Sequence, residues 1–185
     1  MTDIISHLKS RGIDPSRTTV VVDEESGTST FLLFNLSGQL AGYQRYNPQG
    51  EKSSRDRALM RYVTHTADEG GTKKIAVWGL DTLEMHPTIL FVTEGIFDAA
   101  KVHNAGLPCI AVLTNNPKQL RPWLKALGKY IVVIKDNDEA GQKLGSLGDT
   151  AITVPDGFKD LGDMLQELAD EFLNDVVVGL AGEGL

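Results

Sequence analysis

The sequence predicts an α/β fold: a doubly wound, mostly parallel sheet with a small N-terminal α+β portion, the two meeting near residue 86. Three observations predict it. The second half alternates continuous apolar runs ("TILFVT", "PCIAVLT", "KYIVVIK", "DTAITVP") with helical segments. Runs of Val, Ile and Leu without polar alternation suit strands covered on both faces, and helices between them make the connections parallel. The first half instead joins "TFLLFN" to "LAGYQRY" through the turn "LSGQ", which reads as a hairpin. The texture changes at about residue 75, where "KIAVWGL" opens the continuous apolar runs.

Taken in order, "IISHLKSRG" has apolar residues at helical spacing and stops at Gly12, a short helix. "TTVVVD" is a strand, and residues 30–46 form the hairpin. The polar span 47–74 is a long loop with one short strand near "RYVTH"; a loop of that length inside a domain is often functional. "TILFVT" leads into the helix "EGIFDAAKVHNAG", and "PCIAVLT" into the helix "NPKQLRPWLKALG". "KYIVVIK" precedes a short helix in "NDEAGQKLGSLG", and "DTAITVP" precedes a last amphipathic helix over "KDLGDMLQELADEFLND". The expected division is 1–85 for the α+β portion, 86–175 for the sheet domain and 176–185 for a C-terminal tail.

With 185 residues, 41% of them hydrophobic and 23% charged, the chain can bury the core of one domain with a small appendage. No apolar run approaches the roughly 20 residues of a membrane-spanning helix. "MTDIISHLKSRG" carries Asp3 and His7 where a signal peptide has a long apolar region. A cytoplasmic protein without membrane association is expected. The lone Cys109 excludes a disulfide framework and a Cys-based zinc module, and in an apolar strand it reads as a buried small hydrophobe. The net charge of −7 argues against bulk duplex binding, which runs on phosphate neutralisation. The cations are concentrated, however: Arg45, Lys52, Arg55, Arg57, Arg61, Lys73 and Lys74 fall in one span, while the last third is acidic.

Candidate chemistry gathers in acids that follow strands. In an open parallel sheet, ligands sit beyond the carboxyl ends of the strands. Glu94 follows "TILFVT", Asp136 and Asp138 follow "YIVVIK", and Asp160 and Asp163 come after "AITVP". Residues two apart on an extended segment point to one face, so Asp136 and Asp138 can reach a shared point. Lys135 is their only cationic neighbour in sequence. Carboxylates that close repel, and a divalent cation makes them tolerable. Oxygen ligands without nearby His or Cys suit Mg²⁺ or Mn²⁺ rather than zinc. Taken singly, each acid is equally suited to capping a helix.

"TEGIFDAA", "IKDNDEAG" and "PDGFKDLGDML", in this order on a strand–helix frame, resemble the topoisomerase–primase (TOPRIM) domain, with its Glu-Gly after the first strand and Asp-x-Asp after the third. The version here is most similar to DNA primases, in which Glu-Gly, D-x-D-x-A-G and P-x-G-x-K-D follow one another. Upstream, "FNLSGQLAGYQRYNPQGEKS", "RYVTH" and "VWGLDTL" are similar to the N-terminal subdomain of primase polymerase cores. Arg45 matches an arginine on the hairpin strand there, and Arg61-Tyr62 matches a basic–Tyr pair in which Lys is more usual. The resemblance covers roughly residues 4–168. The zinc-binding module that often precedes such cores is missing, as is the Gly-rich Lys-Ser/Thr loop of an attached helicase.

The resemblance implies a primase catalytic core. Its activity would be metal-dependent nucleotidyl transfer, making short RNA primers from NTPs on single-stranded DNA, with a helicase and a separate zinc-binding module as partners in trans. It implies Asp136 and Asp138 as Mg²⁺ or Mn²⁺ ligands, Asp160 as an extra ligand, and Glu94 as ligand or general base. Gly95 allows close approach of backbone to phosphate or metal, or simply a tight strand–helix turn. Asp98, one turn on, orients Glu94 or is an exposed helix acid. Arg45 and Arg61 grip triphosphate or template backbone, for which a guanidinium is suited, or are solvated charge. Tyr62 stacks on a base or packs on the hairpin. His103 has no assigned role, and Trp123 is placed in the core. Two other classes share these features: a TOPRIM nuclease, whose acids direct water at a phosphodiester, and a non-catalytic TOPRIM protein binding nucleic acid or a replication partner. The "RYNPQGEK…RY" half favours the primase over the nuclease, and intact Glu94, Asp136 and Asp138 count against the non-catalytic reading.

Overall fold

The computed structural model describes residues 3–182 except 70, 71, 74, 87, 114–116, 137 and 138. Its contacts divide the chain into two units, Met1–Trp78 and Gly79–Leu185.

The first unit opens with α1 (Ile4–Ser10). Asp3 caps it, accepting from Ile5 N at 3.0 Å. Gly12, at φ 84°, ends it: past this left-handed residue Ile13 N returns to Leu8 O at 2.9 Å. Strands β1 (Val20–Asp23), β2 (Thr28–Phe34), β3 (Leu40–Tyr46) and β4 (Tyr62–Thr66) form an antiparallel sheet in sequential order. β2 buries every second residue, with Phe31 and Leu33 wholly covered, the period of a sheet with one face on a core. Asn35 shapes the β2–β3 turn, its side-chain oxygen accepting from Ser37 N and Gln39 N. The span 47–74 holds β4 as expected, and also a two-residue ladder between β5 (Asp68–Glu69) and β6 (Thr72–Lys73). "KIAVWGL" forms no strand among its described residues. Val77 makes one isolated antiparallel bridge with Phe34, and Trp78 meets Phe31 edge-on at 6.4 Å. Its apolar continuity serves burial, not a ladder.

The second unit is built on β7 (Ile89–Thr93), β8 (Cys109–Ala111), β9 (Tyr130–Lys135) and β10 (Thr150–Thr153), all parallel, in the order β10-β9-β7-β8. All of β7 and all of β9 after Tyr130 are buried, which is why these strands read as unbroken apolar runs. The helices α2 (Ile96–Asn104), α3 (Arg121–Ala126) and α4 (Glu139–Gly145) connect successive strands. A 3₁₀ turn, Pro117–Leu120, precedes α3. The chain leaves β7 for β8 on one side and β9 for β10 on the other, so right-handed crossovers put α2 and α4 on opposite faces. This is the doubly wound α/β arrangement that the apolar pattern predicts.

The last helix, α5 (Gln166–Gly182), packs against α2 and buries Ala169, Leu173, Val176 and Leu180. It starts later than the pattern predicts and continues through residues 176–182. Leu161–Asp163 form a 3₁₀ turn and Met164 is extended, at ψ 150°. The reason is a competing bond: Asp98 Oδ1 on α2 accepts from Gly162 N at 2.7 Å, tying this stretch to α2 before α5 can begin. No described helix is long and apolar enough to cross a membrane.

Candidate active site

The strand order creates the site. Because β7 sends its helix to one face and its neighbour β9 sends its helix to the other, a crevice opens between their carboxyl ends, where doubly wound sheets bind ligands. Glu94 directly follows β7, and Asp136 directly follows β9. The register pairs Val92 with Val133, which puts Glu94 level with Lys135 and one residue short of Asp136. Both acids are half-buried. Asp138 lies outside the described residues.

The glycines of the two motifs are close-approach positions. A Cβ on Gly141, in α4, would lie 2.1 Å from the Asp136 carbonyl oxygen, so only glycine lets α4 sit directly on the end of β9. A Cβ on Gly95 would lie 2.6 Å from Asp98 Oδ2. The Asp98 carboxylate therefore fits between the Glu-Gly turn and the 160–163 segment, one oxygen beside Gly95 and the other on Gly162 N. It joins the element carrying Glu94 to the element carrying Asp160. Next to Glu94, Leu113 N donates to Glu94 O at 3.0 Å while Leu113 holds φ 52°, a left-handed conformation uncommon for leucine. Strain of this kind gathers at functional sites.

Among the described residues, the lysine that pairs with one of these acids is Lys159, not Lys135. Lys135 is buried, its stem running along α4, where a Cβ on Gly145 would be 3.1 Å from Lys135 Cδ. Lys159 instead pairs with Asp160 Oδ2. The hydrogen bond to Asp160 pushes the Lys159 ammonium above its ordinary pKa, and the charges of Asp160, Asp136 and Asp163 push the same way. The other oxygen of Asp160, Oδ1, is buried and has no hydrogen-bond partner. The signal was present in "P-x-G-x-K-D", where the lysine immediately precedes the acid.

The donors present are all carboxylate oxygens, and an orphaned buried one stands among them, which fits a hard divalent cation such as Mg²⁺ or Mn²⁺. Among the described residues, no group of three or more His, Cys, Asp or Glu side chains is gathered closely enough to hold a metal. The described acids Glu94, Asp136 and Asp160 form no such group.

In the first unit, Arg45 Nη2 donates to the carbonyls of Arg57 at 2.6 Å and Ala58 at 3.1 Å, holding the 57–58 stretch to β3. Arg61 Nε donates to Gly50 O at 3.1 Å. Tyr62 is 40% exposed, and its ring lies 5.1 Å from Tyr46, tilted by 30°. Tyr46 in turn bonds His7 at 2.8 Å. In the second unit, His103 Nε2 donates to Cys109 O at 2.8 Å. Cys109 is fully buried, and burial pushes its thiol pKa far up, as suits an inert hydrophobe. Trp123 is half-buried on α3 rather than enclosed in the core.

An α/β protein with a TOPRIM-like doubly wound sheet and a smaller antiparallel unit is the class that this fold and this acid edge define. No protein-family profile matches the chain, and no curated protein matches it in sequence. Solved structures do match in fold. The RNA polymerase domain of Mycobacterium tuberculosis primase, in complex with double-stranded DNA, superposes with a TM-score of 0.60 at 19% identity, over 94% of this chain and 59% of that one. The zinc-binding and RNA polymerase domains of Aquifex aeolicus primase give 0.59 at 20% identity, over 94% and 45%. The primase fragment of the bacteriophage T7 primase-helicase protein gives 0.58 at 13% identity, over 85% and 66%. The chain thus resembles in fold the catalytic core of bacterial and phage DNA primases, and it spans between 45% and 66% of the length of these three chains.

Proposed function

We propose that the chain is a primase-type catalytic core, which makes short RNA primers on single-stranded DNA by divalent-metal-dependent nucleotidyl transfer. The observation that carries this reading is the placement of Glu94 and Asp136 on adjacent strands at the switch point of a TOPRIM-like sheet. The fold-level likeness of the whole chain to primase cores supports it. In this reading residues 1–85 serve as the primase-like subdomain and 86–175 as the TOPRIM domain, whose last helix α5 runs on through residue 182 where a tail was expected.

Asp136, Asp138 and Asp160 hold the cation, with Glu94 as a further ligand or as the base that takes the 3′-hydroxyl proton. A bound Mg²⁺ or Mn²⁺ lowers the pKa of that hydroxyl and neutralises the departing pyrophosphate. Gly141 fixes Asp136 against α4, while Gly95 and Asp98 fix the Glu94 turn to the Asp160 segment. Arg61, and the donors of Arg45 not used on the 57–58 carbonyls, contact triphosphate or template phosphate. Tyr62, 40% exposed, stacks on a base. A helicase and a zinc-binding module act as separate partners in a cytoplasmic setting.

The test is incubation of the full chain with single-stranded DNA, labelled NTPs and Mg²⁺ or Mn²⁺. Primer-length RNA products are expected, and they should vanish in EDTA. Cleaved DNA without primers would make the protein a TOPRIM nuclease; neither product, with DNA retained, would make it a binding protein.

A further inference from the structure

We propose that a cleft at the amino-terminal edge of the parallel sheet binds a small organic di- or triphosphate, at a site separate from the acid edge. The cleft has a volume of about 350 Å³, within the range of small-molecule sites. Arg121, Leu124 and Lys125 of α3 form one wall, and the 146–149 turn ahead of β10 forms the other. Lys129 and Ile131, at the start of β9, lie between them. Glu94 and Asp136 follow the opposite ends of their strands, and about 16 Å of strand separates Ile131 from Asp136. A small ligand in this cleft therefore does not reach the acids.

The lining selects an anion. Three cations stand on it against one acid, in a chain whose net charge is −7. That acid, Asp149, serves the junction of β9 and β10: its Oδ2 accepts from Ile131 N at 2.8 Å, and its own N donates to Ile131 O at 2.8 Å. Arg121 Nη2 donates to the Ser146 carbonyl at 2.5 Å, a neutral partner that fixes the guanidinium without cancelling its charge. Lys129 Nζ likewise donates to the His86 carbonyl at 2.6 Å. Lys125 is exposed one turn along α3 from Arg121, on the same side of the helix. A guanidinium fork beside two ammonium groups is the donor set that phosphate oxygens take. A lone carboxylate carries too little charge to use all three.

The floor adds the organic body. Leu124, Ile131 and Leu147 line the cleft and are otherwise buried, so a ligand carrying an apolar or flat part covers their remaining surface. The walls are in place before a ligand arrives. Buried Leu124 seats α3, and the two bonds of Asp149 clasp the turn to β9. Gly148 keeps that turn tight: a Cβ there would lie 2.6 Å from Thr150 O and 2.8 Å from Val133 Cγ2. A preformed cleft spares the ligand the cost of ordering it.

The test titrates the full chain calorimetrically with ADP, with pyrophosphate and with single-stranded oligothymidylate, in EDTA and at about 0.15 M NaCl, where diffuse surface attraction is screened. EDTA removes metal-dependent binding at the acid edge, so the result does not depend on the primase reading. ADP should bind, and pyrophosphate should displace it. Arg121→Gln and Lys125→Gln should each weaken ADP binding roughly tenfold, the loss of one charge-assisted contact. Lys143→Gln, which removes an exposed lysine of α4 outside the cleft, should leave it unchanged. Absence of ADP binding overturns the proposal. So does wild-type affinity in Lys125→Gln, even where Arg121→Gln binds more weakly, because Arg121 also holds the Ser146 turn. Oligothymidylate bound while ADP and pyrophosphate are not would make the patch a nucleic-acid path and overturn it too.

Discussion

Asp98 illustrates how one side chain is spent at the residue scale. Its Oδ1 is the acceptor for the buried Gly162 amide, and its Oδ2 occupies the space that the missing Gly95 side chain leaves. Asp98→Ala orphans that amide and should cost about 1–3 kcal/mol in denaturant unfolding. It should also reduce primer synthesis through the displaced Asp160 segment, and Asp98→Asn, which keeps an acceptor, should restore most of both. Glu94→Gln belongs to a different class. As a base it should lower single-turnover primer formation by about 10²–10⁴-fold. NTP affinity should barely change, because the loss is confined to the transition state. A rate that falls only in step with NTP affinity would instead make Glu94 a ground-state ligand. Asp136→Asn should abolish metal-dependent turnover with the circular-dichroism spectrum retained, and wild-type rates at saturating Mg²⁺ would remove Asp136 from the site.

At the scale of elements, the contact of α4 with the end of β9 depends on one missing methyl group. Gly141→Ala would place a Cβ 2.1 Å from the Asp136 carbonyl oxygen, and the obstacle is backbone, which cannot rotate away. The helix must lift, at a cost of about 1–3 kcal/mol or more, and Mg²⁺ affinity should fall with stability because Asp136 moves too. Urea unfolding and metal titration on the same variant check both. The strands of the parallel sheet were legible because burial on both faces writes itself as uninterrupted Val, Ile and Leu. The acids at their ends were legible because a parallel sheet delivers every strand terminus to one edge. Three features were not. The delayed start of α5 depends on Asp98, 64 residues away from its partner Gly162, and no local pattern encodes such a bond. "KIAVWGL" is apolar because Val77 and Trp78 are covered, not because they pair in a sheet. Lys159 faces Asp136 only once β9 and β10 lie side by side.

For the whole molecule, acid stability turns on one partly buried histidine in each unit. His7 in the first unit is held below its ordinary pKa of 6.5, chiefly by burial and then by the Arg11 and Arg61 charges. His103 in the second is also held below 6.5, because burial outweighs the bond to the Cys109 carbonyl and the charge of Asp81. A carbonyl only accepts, so neutral His103 must carry its proton on Nε2. Both groups bind protons more readily in the unfolded chain. Their contribution to stability is therefore complete above pH 6.5 and is lost as pH falls from 6.5 through the lower folded-state values. The Asp3, Asp14 and Asp23 carboxyls are held below 3.8 by hydrogen bonds from their neighbours, so their losses come at more acid pH. Melting temperature should thus fall between about pH 6.5 and pH 5, ahead of the carboxylate range. His7→Gln and His103→Gln should each flatten that slope, whatever they do to stability at pH 8, and the double variant should flatten it further. A double variant that keeps the wild-type slope would place the acid sensitivity elsewhere, with the carboxylates of the sheet edge the next groups to substitute.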